Sequence, residues 1–550
     1  MGHVHALRLG LTDPRFEAAA IPGAVTARPA ARPALTRALR TASSEASNGS
    51  VAVGIVADRV AEALDMALHR PELGELVAEV PRDPQARNEA GQAVISVDDE
   101  AIRLRTAVKS RDGFFTTYCV SPYSRHLARW CARRGLTPNQ VTTASLVTAL
   151  IAAGCAATGT RPGYAAAGLL LLLSFVLDCT DGQLARYSLQ YSTLGAWLDA
   201  TFDRAKEYAY YAGLALGAAR GGDDVWALAL GAMVLQTCRH VVDFSFNEAY
   251  AGSTVGSAAN TSPTAALSGK LDSVGWTVWL RRMIVLPIGE RWAMIAVLTA
   301  LTTPRVTFCV LLVGCAFAAC YTTAGRVLRS VTRKARRTDR AAAALGDLTD
   351  SGPLARGCAR LLGKRSARPL PGSRLLLALP GAVLLVAVTW TSGYGSWWPV
   401  LAAALYALTS GAAVARPLTG ALDWLVPPLF RAAEYGTVLL LAAAAEVNGA
   451  LPAAFGLVAA VAYHHYDTVY RIRGDAGAPP HWLVRAIGGH EGRTLLVTVL
   501  AALLAATDFK VALTALAVAV ALLVLFESIR FWVTAHRRGA PAVHDEGEPA

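Results

Sequence analysis

The chain has 550 residues, 54% of them hydrophobic and 17% charged, with a mean hydropathy of +0.37. This apolar excess excludes a water-soluble globular enzyme and describes a polytopic membrane protein with a soluble portion. The net charge of +12 gathers in short basic segments beside apolar runs, which suits membrane orientation and anionic headgroups rather than nucleic acid.

Residues 1–105 contain no span and read as a soluble, partly disordered region. Positions 18–48, rich in Ala, Pro, Arg and Ser, read as flexible. A small fold is expected over 51–97, from the apolar run at 51–56 and a helical pattern through Leu64 and Leu68; no Gly-rich nucleotide loop occurs there. Without an apolar leader segment, the first span is expected to direct insertion. A short amphipathic helix follows at 121–134, with Leu127, Trp130 and Cys131 on one face and Arg125, Arg129 and Arg133 on another, as in a helix lying in the interface. Spans are expected at about 140–159, 162–181, 195–218, 224–247, 284–303 and 306–327. The basic stretch 125–134 sets the start of the first span in the cytoplasm. Counting through, the sixth ends there too, beside Arg326, Arg329, Arg333, Lys334, Arg336 and Arg337. The loop 249–286 carries Trp276, Trp279, Arg281 and Arg282, an interfacial anchor or a cover over a lipid entry. The nine cysteines show no metal or disulfide spacing; Cys155, Cys309, Cys315 and Cys320 read as small core residues.

A basic linker (346–372) leads to a second apolar block at 373–536, again about six spans, and a disordered tail (537–550). This block looks like a degenerate copy of the first. Phe202-Asp203-Arg204-x2-Glu207-Tyr208 is echoed by Leu429-Phe430-Arg431-x2-Glu434-Tyr435, and His240-x2-Asp243 by His464-x2-Asp467. Gly289-Glu290-Arg291 is echoed by His490-Glu491-Gly492-Arg493, and Gly182-x2-Ala185-Arg186 loosely by Gly411-x3-Ala415-Arg416. The acids do not recur: Ser410 stands for Asp181 and Phe430 for Asp203. Both halves then share one orientation in the membrane, and Asp467 is expected to be dispensable for turnover.

Four acids carry the chemistry. Asp178 and Asp181 close the leucine-rich run 169–177, and Asp199 and Asp203 open the next apolar helix. Carboxylates are costly at membrane depth and are functional there by default. Spacings of i,i+3 and i,i+4 put each pair on one helix face, and two facing pairs make an oxygen cage suited to Mg²⁺ or Mn²⁺.

The run Asp178-x2-Asp181-Gly182-x2-Ala185-Arg186-x8-Gly195-x3-Asp199-x3-Asp203 resembles the signature of the CDP-alcohol phosphatidyltransferases, with every fixed position filled. The resemblance covers about 120–330 and implies an all-α integral membrane fold: a six-helix catalytic bundle within 106–345, followed here by the second six-helix block. It implies that Asp178, Asp181, Asp199 and Asp203 bind one or two divalent metals and that Asp203 takes the proton of the attacking hydroxyl. Gly182, Ala185 and Arg186, with Asn139, Thr142, Ser192 and Gly195, would meet the CDP-alcohol, Gly195 also letting the second and third helices pack closely. Arg204, Lys206 and Arg239, with His240, could line an acceptor site. The motif looks most like the inositol-phosphate branch, which implies a phosphorylated polyol acceptor and CDP-diacylglycerol as donor. Family members are generally homodimers, so either a homodimer or an internal pseudo-dimer is expected, with active site and both termini facing the cytoplasm. Open alternatives are a soluble CDP-polyol donor, as in di-inositol-phosphate-type synthesis, a pseudoenzyme scaffold, and a twelve-span transporter. Acids at one end of one half fit the last poorly, since transporter sites lie near the midplane.

Overall fold

The computed structural model describes residues 18–21, 24–27, 31–46, 60–62, 64, 68–69, 77, 83–109, 112–250, 285–332, 337–365, 374–474 and 476–537, in two compact units, 1–106 and 107–550. The expected apolar run at 51–56, the segment carrying Trp276 to Arg282 and the tail from 538 onward lie outside the described residues.

In the first unit, strand β1 (Ala18–Ile21) pairs antiparallel with β2 (Ala24–Ala27) and parallel with β3 (Leu68–His69). Helix α1 (Arg32–Ala46) packs Ala38 and Ala42 against Val60 and Leu64. Within the segment read as flexible, Ala18–Ile21 and Ala24–Ala27 are therefore strand and Arg32–Ala46 helix, the last in keeping with the helix propensity of alanine. Leu68, read as helical, lies in β3. Helices α2 (Pro84–Ser96) and α3 (Asp99–Thr106) complete the unit.

The second unit is helical. A π-helical turn (Thr116–Val120) leads into α4 (Ser121–Arg133), the expected amphipathic helix. Its buried face is Ser121, Ser124, Ala128 and Cys131; Trp130 is exposed and stacks under Arg134 at 5.2 Å. The buried face is shifted from the expected one: Cys131 and the half-buried Leu127 face the bundle with Ser121, Ser124 and Ala128, while Trp130 does not. Gln183 explains this: it accepts from Ser124 Oγ (2.8 Å) and donates to Ser121 Oγ (3.4 Å).

Six helices follow: α5 (Pro138–Ala157), α6 (Arg161–Ser188), α7 (Thr193–Arg220), α8 (Trp226–Tyr250), α9 (Ile288–Leu301) and α10 (Pro304–Thr332). Local chemistry sets their ends. Thr137 and Gln140 form a reciprocal capping box before Pro138, Thr160 caps α6, and Ser192 caps α7 by accepting from Gly195 N at 2.9 Å. Leu189, in the left-handed region, ends α6. Glycines let α7 lie on α5: a Cβ at Gly213 or Gly217 would stand 2.4 or 2.1 Å from the Ala153 or Ala156 carbonyl oxygen.

Short helices α11 (Asp339–Leu348) and α12 (Pro353–Arg365) precede a second set: α13 (Arg374–Thr391), α14 (Trp398–Val414), α15 (Val426–Ala444), α16 (Ala450–Arg473), a short α17 (His481–Ala486), α18 (Gly489–Leu503) and α19 (Ala506–Arg537). Packing within the two sets runs in parallel. As α5 packs on α6 and α7, α13 packs on α14 and α15; as α6 meets α4 and α9, α14 meets α12 and α18; as α8 meets α10, α16 meets α19. Six described helices (α5, α6, α10, α13, α19 and the segment Asp423–Ala444) are long and apolar enough to cross a membrane by composition. Helix α7 has the length but carries Asp199, Asp203, Arg204, Lys206 and Glu207, whose charge is compensated inside the bundle. Cys309 and Cys320 sit on the exposed side of α10 rather than in the core.

Candidate metal centre

Helix α6 runs to Ser188, past the expected end of the span, so Asp178, Asp181, Gly182, Ala185 and Arg186 share one rigid element. The cap at Ser192 starts α7 two turns before Asp199. Carboxylate oxygens of Asp178, Asp181 and Asp199 come within 4.8 Å of one another. Asp203 is not part of that trio; its Oδ1 pairs with Lys206 Nζ at 2.8 Å, and Lys206 also pairs with Asp178. Asp181 is 3% exposed, and its Oδ2 is buried without a hydrogen-bond partner. A buried carboxylate oxygen left unpaired is expensive, so this acid fits a hard divalent cation well.

The residues expected to meet the nucleotide lie on α6, at the start of α5 and at the start of α7. A Cβ on Gly182 would meet only the Arg186 guanidinium, at 3.5 Å, so no helix packing requires glycine there and the cleared space faces outward from α6. Arg186 Nε donates to the Ala107 carbonyl. At Gly195 a Cβ would stand 2.7 Å from Asn139 Oδ1 and 2.8 Å from Ser192 Oγ, which brings Asn139, Ser192 and Gly195 together. The close approach is therefore to the start of the first span, not to the second as expected. Thr142, 3% exposed, donates back to Pro138 O at 3.0 Å.

The basic residues are held by protein partners. Arg204 pairs with Glu207 (3.1 Å), lies 3.3 Å from His240 Nδ1, and stacks over the Tyr466 ring at 4.9 Å. Arg239 donates to the Val285 carbonyl. Glu207 also accepts from Tyr211 (2.7 Å) and pairs with Arg291 (3.4 Å). Glu207 and Arg291 stand out in the sequence only as repeat echoes, and Tyr466 not at all; their pairing across helices joins residues far apart along the chain. The local signals were the helical spacing of Arg204, Glu207 and Tyr211 and the amide of Gln183 beside Gly182.

The corresponding place in the second set is filled. The Phe430 ring stacks on His490 (centroids 4.2 Å apart), and Tyr406 Oη hydrogen-bonds His490 Nδ1 at 2.7 Å. Ser410 Oγ donates to Tyr406 O within its own helix, and a Cβ on Gly411 would stand 2.5 Å from Cys358 Cβ and 2.8 Å from Ala355 O, so helix packing occupies that cleft. The surrounding ion pairs nonetheless repeat. Arg431 pairs with Glu434 (2.9 Å) and Glu434 with Arg493 (2.6 Å), as Arg204 pairs with Glu207 and Glu207 with Arg291. Glu290 accepts from Phe115 N (3.3 Å), and Glu491 from Gly352 N (3.1 Å) and Ala355 N (3.0 Å). In the loop between α11 and α12, burial opposes the charge of Asp350, but Arg493, His464 and Arg431 outweigh it and hold its carboxyl well below the usual range.

Residues 135–319 match the family model described as CDP-alcohol phosphatidyltransferase, and 339–550 match a family of unknown function, DUF5941. Among curated proteins, the chain is similar to "Bifunctional IPC transferase and DIPP synthase" of Aquifex aeolicus (30% identical over 114 residues, 20% of this chain and 26% of that protein). The protein of the same name from Thermococcus kodakarensis is 34% identical over 113 residues (20% and 25%). "Phosphatidylinositol phosphate synthase" of Streptomyces avermitilis is 33% identical over 130 residues (22% and 51%). The chain thus spans between a quarter and about half of the length of these relatives.

Proposed function

We propose that this chain, which carries a CDP-alcohol phosphatidyltransferase domain at 135–319 in a multi-pass helical membrane fold, transfers a substituted phosphate group from a CDP-alcohol to a hydroxyl acceptor and releases CMP. The observation that carries the reading is the convergence of Asp178, Asp181 and Asp199 within 4.8 Å, with Asp203 one turn further along α7. CDP-diacylglycerol is the donor and a phosphorylated polyol such as inositol phosphate the acceptor. The names of the relatives support this choice: one makes phosphatidylinositol phosphate, two carry out IPC transfer and DIPP synthesis.

Asp178, Asp181 and Asp199 would hold Mg²⁺ or Mn²⁺, which when bound supplies charge stabilisation to the pyrophosphate oxygens. The acceptor oxygen bonds to the phosphorus that carries the alcohol, the bond from that phosphorus to CMP breaks, and Asp203 takes the hydroxyl proton. Gly182 and Ala185 leave the face of α6 open to the nucleotide, and Arg186 offers a bidentate donor to phosphate. Arg204 and Arg239 supply positive charge on the acceptor side, while Lys206 is held among the acids. The active site and both termini face the cytoplasm, following the basic flanks of the first and sixth spans.

The test is CMP release by the purified chain in lipid nanodiscs with Mg²⁺ or Mn²⁺ and CDP-diacylglycerol, acceptors being offered singly. Release dependent on inositol phosphate is expected. Silence with every acceptor from folded protein would reject the lipid donor; the two relatives named for DIPP synthesis then make a soluble CDP-polyol the next donor to test.

A further inference from the structure

Lys206 lies inside the acid cluster, 1% exposed, on the face of α7 that also carries Asp203. Its ammonium pairs with Asp178 Oδ1 and with Asp203 Oδ1 at 2.8 Å, and donates to Ser145 Oγ at 3.2 Å. It hydrogen-bonds Asp178 and Ser145, and meets Asp203 Oδ1 as an ion pair. The position is held by packing. Ser145 and Ser174 exchange hydroxyl-to-carbonyl bonds of 2.8 and 2.9 Å between α5 and α6, and the Trp292 ring covers the ammonium at 5.8 Å. This is a built position for a single positive charge between the first and the last acid of the motif. A second divalent cation bridging Asp178 and Asp203 would need the same oxygens and the same volume, and would be repelled by the lysine.

We propose that the Lys206 ammonium stands where a second metal would bind, so that the site takes one divalent cation, on Asp178, Asp181 and Asp199, and Asp203 stays off the metal as proton acceptor. This rests on the metal-dependent reading above. It makes Lys206 a positioning residue: it orients Asp203 against Asp178 and has no part in bond making.

Mn²⁺ binding to the full chain in nanodiscs tests it, by equilibrium dialysis and electron paramagnetic resonance. The wild type is expected to bind one Mn²⁺ per chain with an uncoupled spectrum. Asp203→Asn keeps that ion at unchanged affinity while turnover is lost, and Asp199→Asn weakens it by about tenfold or more. Lys206→Met, which keeps the length of the side chain without its charge, admits a second Mn²⁺ and gives a spin-coupled spectrum. Two coupled ions in the wild type, or loss of the ion in Asp203→Asn, would overturn the proposal. If the two-ion protein also releases CMP, the transferase reading survives and only the proposal falls; no Mn²⁺ in the wild type removes both. The wild-type count and Asp203→Asn decide the matter even if Lys206→Met does not fold.

Discussion

At the residue scale, two glycines have opposite surroundings. A Cβ at Gly182 meets only a flexible guanidinium at 3.5 Å, whereas one at Gly217 meets the Ala156 carbonyl at 2.1 Å. Gly182→Val should therefore raise KM for the CDP donor roughly tenfold, about 1.4 kcal/mol, with an unchanged melting temperature. Gly217→Ala should leave KM alone and destabilise the bundle by about 1–3 kcal/mol through overpacking. CMP-release kinetics and thermal melts of the same preparations distinguish the two. An unchanged KM in Gly182→Val would show that the nucleotide does not approach that face. The four acids were legible in the sequence because helical spacing is local and carboxylates in an apolar run stand out. Their division into a trio and Asp203 was not, since it depends on Lys206 reaching across from α7 to Asp178 on α6. Asp467, expected to be dispensable for turnover, is 2% exposed, accepts from Ser528 Oγ (2.7 Å) and Trp532 Nε1 (2.6 Å), and pairs with Arg471 (2.8 Å). A buried charge can have a structural role without a catalytic one, so Asp467→Asn is expected to lower stability.

At the scale of elements, matching ion-pair chains tie together equivalent helices in each half: Arg204–Glu207–Arg291 links α7 to α9, and Arg431–Glu434–Arg493 links α15 to α18. We take this, with the parallel packing order, as support for reading the second block as a degenerate repeat. Sequence alone offered only short echoes among alanine-rich helices. Long-range partners, Arg291 for Glu207 and Arg493 for Glu434, give the echoes a physical meaning. Removing one member of a buried pair strands the other, at about 3–5 kcal/mol. Glu434→Ala should thus lower the melting temperature sharply but leave the kinetic constants of the surviving folded protein unchanged. Glu207→Ala should lower both stability and turnover, because Arg204 adjoins Asp203. Equal kinetic losses in the two variants, measured at a temperature where both are folded, would contradict a silent second half.

On the scale of the whole molecule, the second half meets the acid-bearing stretch of α7 on both sides. Trp532 of α19 stacks on Trp197, two residues before Asp199, at 6.2 Å; Tyr466 of α16 lies under Arg204, directly after Asp203, and its hydroxyl hydrogen-bonds His240 Nδ1 at 2.5 Å. Helix α8 carries most of the remaining interface, with Phe246 edge-on to Trp424 and Trp226 edge-on to Phe455. We infer that a stretch of α7 held at both ends keeps Asp199 and Asp203 in register with Asp178 and Asp181, so that the second half would act on turnover through α7. Tyr466→Phe, which keeps the ring under Arg204 and loses one hydrogen bond, should reduce turnover only a few-fold, about 1 kcal/mol. Tyr466→Leu should reduce it roughly tenfold or more, since Arg204 also loses its cation–π partner. The stronger test is residues 107–338 expressed alone. That fragment would expose the faces of α7 and α8 now covered by α15, α16 and α19, and Arg204 would lose Tyr466. It is therefore expected to yield no active monomer in size-exclusion chromatography followed by the CMP assay. An active fragment, as monomer or as homodimer, would show that the fused half is not required to hold α7.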